Sequence, residues 1–233
     1  MPKNSEPGTS TRERILAAAR RCFAEKGFRA TTVAEICRGA QANIAAVNYH
    51  FGGKEALYRE AWQSAHQATI EAFPPAGGAT ADAPPEARLR GRIRGMLQRT
   101  LSEDGLEFRI MGHEMANPTG LLEQVLQDAV GPLLEALEAI IQELLGGHAG
   151  PDRLRQCAAS VIGPCLYVMR RQRMQKSLGQ PAWFDPEDLD ALVEHFTGFA
   201  LAGLEAARQR LEADGREDRA VSALGRGCPA KAG

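Results

Sequence analysis

The stretch from Thr31 to Leu57, TTVAEICRGAQANIAAVNYHFGGKEAL, constrains the chain more than any other. Thr31 or Thr32 caps a short helix, and Glu35 stands three residues after Thr32, the spacing of a capping box. Val33 and Ile36 share a face of that helix. Gly39, Ala40 and Gln41 break it, and Asn43 is placed to cap a second helix, Ile44 to Tyr49, through its side-chain oxygen. Gly52 and Gly53 end the second helix, and Lys54 opens a third. Two short helices crossing steeply at a tight turn make a helix-turn-helix. The second helix is slim, and polar at Asn43, Asn48, Tyr49 and His50, which suits a DNA major groove.

The rest of the chain reads as helix throughout. After a polar arm, Thr11 caps a helix that runs to about Lys26, with Ile15, Ala18, Ala19, Cys22 and Phe23 on one face. Gly27 is its natural stop, and Phe28 turns back toward the core. The Lys54 helix runs to about Phe73. Residues 74–85, PPAGGATADAPP, forbid a continuous helix and form a linker. Further amphipathic helices are expected over 86–101, 106–115, 120–145 with a kink at Pro132, 152–178 with an internal Pro164, and from Glu187 to about Leu211. The expected fold is all-α with about nine helices. An N-terminal arm (1–10) precedes a three-helix DNA-binding domain (11–57), a helical ligand-binding and dimerisation domain (58–213) and a disordered tail (214–233). The last two long helices carry many apolar residues, with Gly198, Ala200, Ala202 and Gly203 among them. They fit either a four-helix interface between two copies or packing within one subunit.

Charge supports the first domain's reading. The net charge is −1, but residues 1–60 carry ten basic and six acidic side chains, while the other 173 carry eighteen and twenty-three. A basic head on an acidic body fits phosphate contact at that end alone. No apolar run is long enough to span a membrane, and the N-terminus has no apolar core of a signal peptide, so a cytoplasmic location is expected. The five cysteines form no CxxC pair and no metal-ligand spacing. His113-Glu114 lacks the second histidine of a zinc protease helix, and no GxSxG, Walker A or GxGxxG run occurs, so no enzyme, cofactor or metal is expected.

The run Thr11-x-x-x-Ile15, Phe23-Ala24-Glu25-Lys26-Gly27-Phe28, Thr31-Thr32-Val33-x-x-Ile36, Tyr49-His50-Phe51 and Lys54-Glu55-Ala56-Leu57 resembles the DNA-binding domain of TetR-family transcriptional regulators. Residues 43–52, and more loosely Arg109, Glu114, Met115, Pro118 and Thr119, resemble the CecR-like subgroup. The resemblance implies a homodimeric repressor, joined through its last two long helices and released from a palindromic operator by a small molecule. A DNA-binding regulator without an effector is the alternative. Ile44 to Tyr49 would be the recognition helix. Thr32, Asn43, Ile44, Ala45, Asn48, Tyr49, His50 and Lys54 would meet double-stranded DNA. Thr32, Tyr49, His50 and Lys54 suit phosphate, and Ile44, Ala45 and Asn48 suit base edges. Packing between helices is the alternative for Tyr49 and His50. Arg12, Arg14 and Arg29 read as a solvated basic rim. Arg109, Met111, His113, Glu114, Tyr167 and Arg170 would line the effector cavity, with surface pairing the alternative for His113 and Glu114. One residue departs from the family pattern: the turn has Gln41 where glycine is usual. Positive φ there costs a non-glycine residue roughly 1 kcal/mol.

Overall fold

The computed structural model describes residues 10–102, 105–147, 149–181 and 188–225, with side chains to residue 216. The arm at 1–9, Glu187 as a helix start, and the chain end at 226–233 lie outside the described residues. Nine helices and no strand occur among those described. They are α1 (Thr11–Ala30), α2 (Val33–Ala40), α3 (Ile44–Phe51), α4 (Lys54–Ala72), α5 (Pro85–Leu101), α6 (Leu106–Ala116), α7 (Glu123–Leu144), α8 (Pro151–Ser177) and α9 (Leu189–Gly225).

The ends of the first helices are set by their caps. Ser10, not Thr11, caps α1: its hydroxyl accepts from the Glu13 amide while the Glu13 carboxylate accepts from the Ser10 amide. The pairing needs a glutamate three positions on, which Ser10 has in Glu13. Helical geometry in α1 is interrupted at Gly27, whose φ of 72° and ψ of 178° are open almost to glycine alone. A Cβ there would also lie 3.1 Å from His113. Thr31 is buried, and its hydroxyl donates to the carbonyls of Cys22 and Gly27, satisfying groups that the interrupted helix leaves open.

The chain divides into two compact units. The first comprises Met1–Pro74 and Gln98–Leu133, so it includes α6 and the first part of α7 as well as the helix-turn-helix. Its core joins Ile15, Ala19 and Phe23 of α1, Ile36 of α2, Val47 of α3, Leu57, Tyr58 and Trp62 of α4, Ile110 of α6 and Leu122 ahead of α7, all fully buried. Polar ties add to this packing. The Tyr58 hydroxyl donates to Glu114 Oε2 at 3.0 Å, and Glu114 also accepts from the Thr119 amide and hydroxyl and the Gly120 amide. His66 stacks on Trp62 and bonds the buried Glu107, linking α4 to α6.

The second unit comprises Pro75–Leu97 and Leu134–Gly233. Leu89, Ile93, Leu97, Ile141, Cys165, Val168 and Val193 are buried there. Arg90 and Arg94 of α5 pair with Glu194 and Asp190 of α9, and Arg88 pairs with Glu143. The linker folds back on α5 so tightly that a Cβ on Gly77 would stand 2.0 Å from the Gly91 carbonyl oxygen. Burial pushes the Cys165 thiol up to about 12, which makes it a packed side chain rather than a redox centre. Helix α9 continues to Gly225, eleven residues beyond Asp214, where the sequence predicts the tail to begin. Low apolar content does not stop the helix there: no proline breaks it before residue 225, and Arg208, Glu205, Glu212 and Arg216 pair along its surface as far as residue 216. Helices α7 and α8 run through Pro132 and Pro164, each of which removes one backbone donor.

Gly27→Ala is expected to destabilise the protein by about 1–3 kcal/mol, because a side chain is strained in that conformation and meets His113. The urea midpoint measures it; an unchanged midpoint would show that α1 relaxes at no cost.

Candidate nucleic-acid interface

Helix α2 is anchored by the expected capping box. Thr32 Oγ1 accepts from the Glu35 amide, and the Glu35 carboxylate accepts from the Thr32 amide. The turn then closes on Gln41, the one described non-glycine residue with positive φ, at φ 51° and ψ 47°. Its amide donates to Arg38, and the Ala42 amide donates to the Cys37 carbonyl at 2.9 Å. Arg14 reaches from α1 to donate to the Ala40 carbonyl at 3.1 Å, so the turn is held from below. Gln41 therefore takes the left-handed conformation that glycine takes easily, at the cost the sequence implies.

Helix α3 begins at Asn43, whose Oδ1 accepts from the Ala45 amide at 2.6 Å. Val47 and Phe51, four residues apart, face the core. The opposite face carries Asn43, Ile44, Ala45, Asn48 and Tyr49, all exposed; Ile44 is 55% and Tyr49 85% exposed. A large aliphatic and a large aromatic side chain left in water on an eight-residue helix are costly without a partner surface. Tyr49 thus does not serve as packing. His50 differs: it is half-buried, with its ring 4.9 Å from that of Tyr49 and 6.3 Å from that of Phe51. The packing alternative describes His50 better than an outward contact does.

Helix α4 starts after Gly53, which offers no side-chain cap, so its first amides point outward beside Lys54. The Lys54 ammonium sits 4.3 Å above the Phe28 ring, and partial burial lowers its pKa. No carboxylate pairs with it among the described residues. A helix N-terminus and an unpaired ammonium side by side make an electropositive corner, which favours an anion. Thr32 is exposed, though its hydroxyl is shared with Glu35. Arg12, Arg14 and Arg29 are not a free rim: Arg12 pairs with Glu60 and lies over Phe51, Arg14 holds the turn, and Arg29 donates to the Pro118 carbonyl.

The residues read as effector contacts fall in different units. Arg109, Met111, His113 and Glu114 belong to the first, where Glu114 is taken up by Tyr58, Thr119 and Gly120 and His113 lies against Gly27. Tyr167 and Arg170 are exposed on α8 in the second. No local pattern marks the Tyr58–Glu114 pairing, since 56 residues separate the partners. Among the described residues no group of His, Cys, Asp and Glu is arranged to hold a metal ion, and no helix is long and apolar enough to cross a membrane.

Comparison with known proteins covers both parts of the chain. Residues 85–204 match the family model described as the C-terminal domain of the HTH-type transcriptional dual regulator CecR. Residues 15–61 match that of bacterial regulatory proteins of the tetR family. The dual regulator CecR of Shigella flexneri is 29% identical over 220 residues, covering 90% of this chain and 98% of that protein. Among solved structures, a transcriptional regulator from Pseudomonas aeruginosa PAO1 superposes with a TM-score of 0.64 at 20% identity, covering 89% of this chain and 96% of its own. AibR, solved in complex with isovaleryl coenzyme A and operator DNA, superposes with a TM-score of 0.62 at 20% identity, covering 82% and 97%.

The Lys26 ammonium, 2.6 Å away, and the Thr32 amide hold the Glu35 carboxyl down to about 2. Its folded value lies below the ordinary one, so its support of α2 is complete above about pH 4.5 and lost as pH falls toward 2. Glu35→Gln should flatten that part of the acid dependence, measured by denaturation at stepped pH. An identical acid profile in the variant would show that Glu35 contributes nothing to it.

Proposed function

The chain belongs to the TetR family of DNA-binding transcriptional regulators and carries a CecR-type C-terminal domain, and from that premise we propose that it is a homodimeric repressor released from a palindromic operator by a small molecule. One observation carries the DNA-facing part of this reading: α3 exposes Ile44 and Tyr49 while burying Val47 and Phe51. On this reading Asn43, Ile44, Ala45 and Asn48 meet base edges. The short side chains of Ala45 and Ala46 let the backbone come close, Ile44 meets a thymine methyl, and Asn48 bonds an adenine edge. Tyr49, Lys54 and the exposed Thr32 hold phosphates, with His50 aligning Tyr49 from behind.

Dimerisation is proposed through α8 and α9. Gly163, Leu166 and Tyr167 form an exposed strip on α8, and Phe199, Ala202, Gly203 and Ala206 form one on α9. Phe199 is 75% exposed, and a Cβ at Gly163, Gly198 or Gly203 would meet nothing within 4 Å. Such strips suit a second copy's helices, with half-sites read about 34 Å apart or a multiple of it.

An effector site is proposed on chemistry rather than on a filled cavity. In the second unit, Gln172 Oε1 and Thr197 Oγ1 are buried without a partner among the described residues. Arg92 of α5 is half-buried and enters no ion pair there, unlike Arg88, Arg90 and Arg94. A small molecule with an acidic end would pair with Arg92 and accept from the Thr197 hydroxyl, while Gln172 Oε1 calls for a donor on the same ligand; a protein of the same fold is solved with isovaleryl coenzyme A. Tyr167 and Arg170 remain candidate contacts in that unit. Arg109, Met111, His113 and Glu114 belong to the first unit, where Glu114 and His113 are parts of its frame. A regulator without an effector is the second reading, favoured by those internal contacts of Glu114.

Lys54→Ala should weaken binding to every DNA sequence and reduce the slope of log affinity against log salt by about one. A changed base preference at a single position would instead make Lys54 a base reader. Phe199→Glu should give monomers by analytical ultracentrifugation and a large loss of affinity for a full palindrome. A variant that stays dimeric places the interface elsewhere.

A further inference from the structure

We propose that the Phe28 ring is the platform that positions Lys54 on DNA, and that the buried Glu114–Tyr58 hydrogen bond fixes that platform. The inference rests on Lys54 as a phosphate contact. A lysine side chain has four rotatable bonds, and an exposed one loses much of that freedom on binding. Here the ammonium is already seated 4.3 Å above the Phe28 ring centre, where the negative face of the ring attracts it. Other basic groups of the head are neutralised: Lys26 by Glu35, Arg12 by Glu60, Arg59 by Glu55. Lys54 is held by a ring instead of a carboxylate, so it is oriented without losing its charge.

The ring itself is held on two sides. It lies 5.0 Å from Tyr58 and 6.3 Å from Phe23, and Tyr58 packs edge-on to Phe23 at 4.8 Å. Behind them the Tyr58 hydroxyl donates to Glu114 at the end of α6. The backbone just before Phe28 is the Gly27 bend, against which His113 packs. Two successive residues of α6 thus touch both supports of the platform. A shift of the α6 end would move the ring, and the ring would move the ammonium. This gives α6 a route to DNA affinity that needs no contact with DNA and no change in α3.

Affinity for a duplex from the protein's own upstream DNA, read by fluorescence anisotropy between roughly 50 and 200 mM salt, tests this. Phe28→Leu keeps apolar bulk and removes the aromatic face. It should weaken binding about two- to five-fold and lower the salt slope in the direction of Lys54→Ala. Phe28→Tyr should restore the wild-type slope and affinity. In a Lys54→Ala background, neither Phe28→Leu nor Glu114→Gln should cause a further loss. Circular dichroism melts of each variant confirm folding. Equal losses from Phe28→Leu with and without Lys54 would make Phe28 a packing residue and overturn the proposal. So would a Phe28→Tyr variant that behaves like Phe28→Leu. If Lys54→Ala leaves both affinity and slope unchanged, the phosphate reading fails first, an outcome distinct from a Phe28 failure.

Discussion

A tyrosine hydroxyl donating to a buried carboxylate is the contact on which the DNA-facing head depends. Tyr58 is fully buried, and burial beside Glu114 pushes its phenol far above its ordinary value, so it stays a donor. Glu114 receives four donors, from Tyr58, the Thr119 amide and hydroxyl, and the Gly120 amide. A hydrogen bond to a carboxylate contributes about 1.5–3 kcal/mol when its group would otherwise be buried unpaired. Because Tyr58 lies on α4 and Glu114 on α6, this contact ties the helix behind the helix-turn-helix to a segment far along the chain. The α1 bend at Gly27, with His113 against it, closes the same joint from the other side.

Above this frame the proposed recognition surface is spare. Its helix has eight residues, two of which are spent on the core. What remains is one asparagine, one isoleucine, one tyrosine, one half-buried histidine and two alanines, turned outward or partly so. Specificity on such a surface comes from close backbone approach as much as from hydrogen bonds. Orientation comes from the flanks: a capped α2 on one side, and on the other an α4 terminus carrying an oriented ammonium. The basic side chains of α1 are mostly consumed inside the head, which is why a surplus of four positive charges yields few free cations.

Local features were legible in the sequence because they depend on near neighbours. Thr32 with Glu35, Asn43 as a cap, the paired glycines at 52 and 53, and the left-handed Gln41 each follow from spacing of a few residues. So did the split of α3 into a Val47–Phe51 face and an Ile44–Asn48–Tyr49 face. Contacts between distant segments were not legible. Nothing near Glu114 marks it as the partner of Tyr58; the family resemblance implies a ligand contact for it, with surface pairing the alternative. Nothing in the basic residues of α1 announced that Arg14 would support a turn twenty-six positions away. The end of α9 was illegible for a different reason: a low-apolar segment reads as unstructured, yet the helix continues to Gly225, with pairs of opposite charge along its surface as far as Arg216.

Hydrogen–deuterium exchange of the full chain, with and without DNA from its own upstream region, measures whether the helix-turn-helix is the part that meets DNA. DNA is expected to slow exchange in peptides spanning Thr31 to Leu57, foremost in α3 and at the start of α4. Protection confined to α8 and α9, with residues 31–57 unchanged, would contradict it.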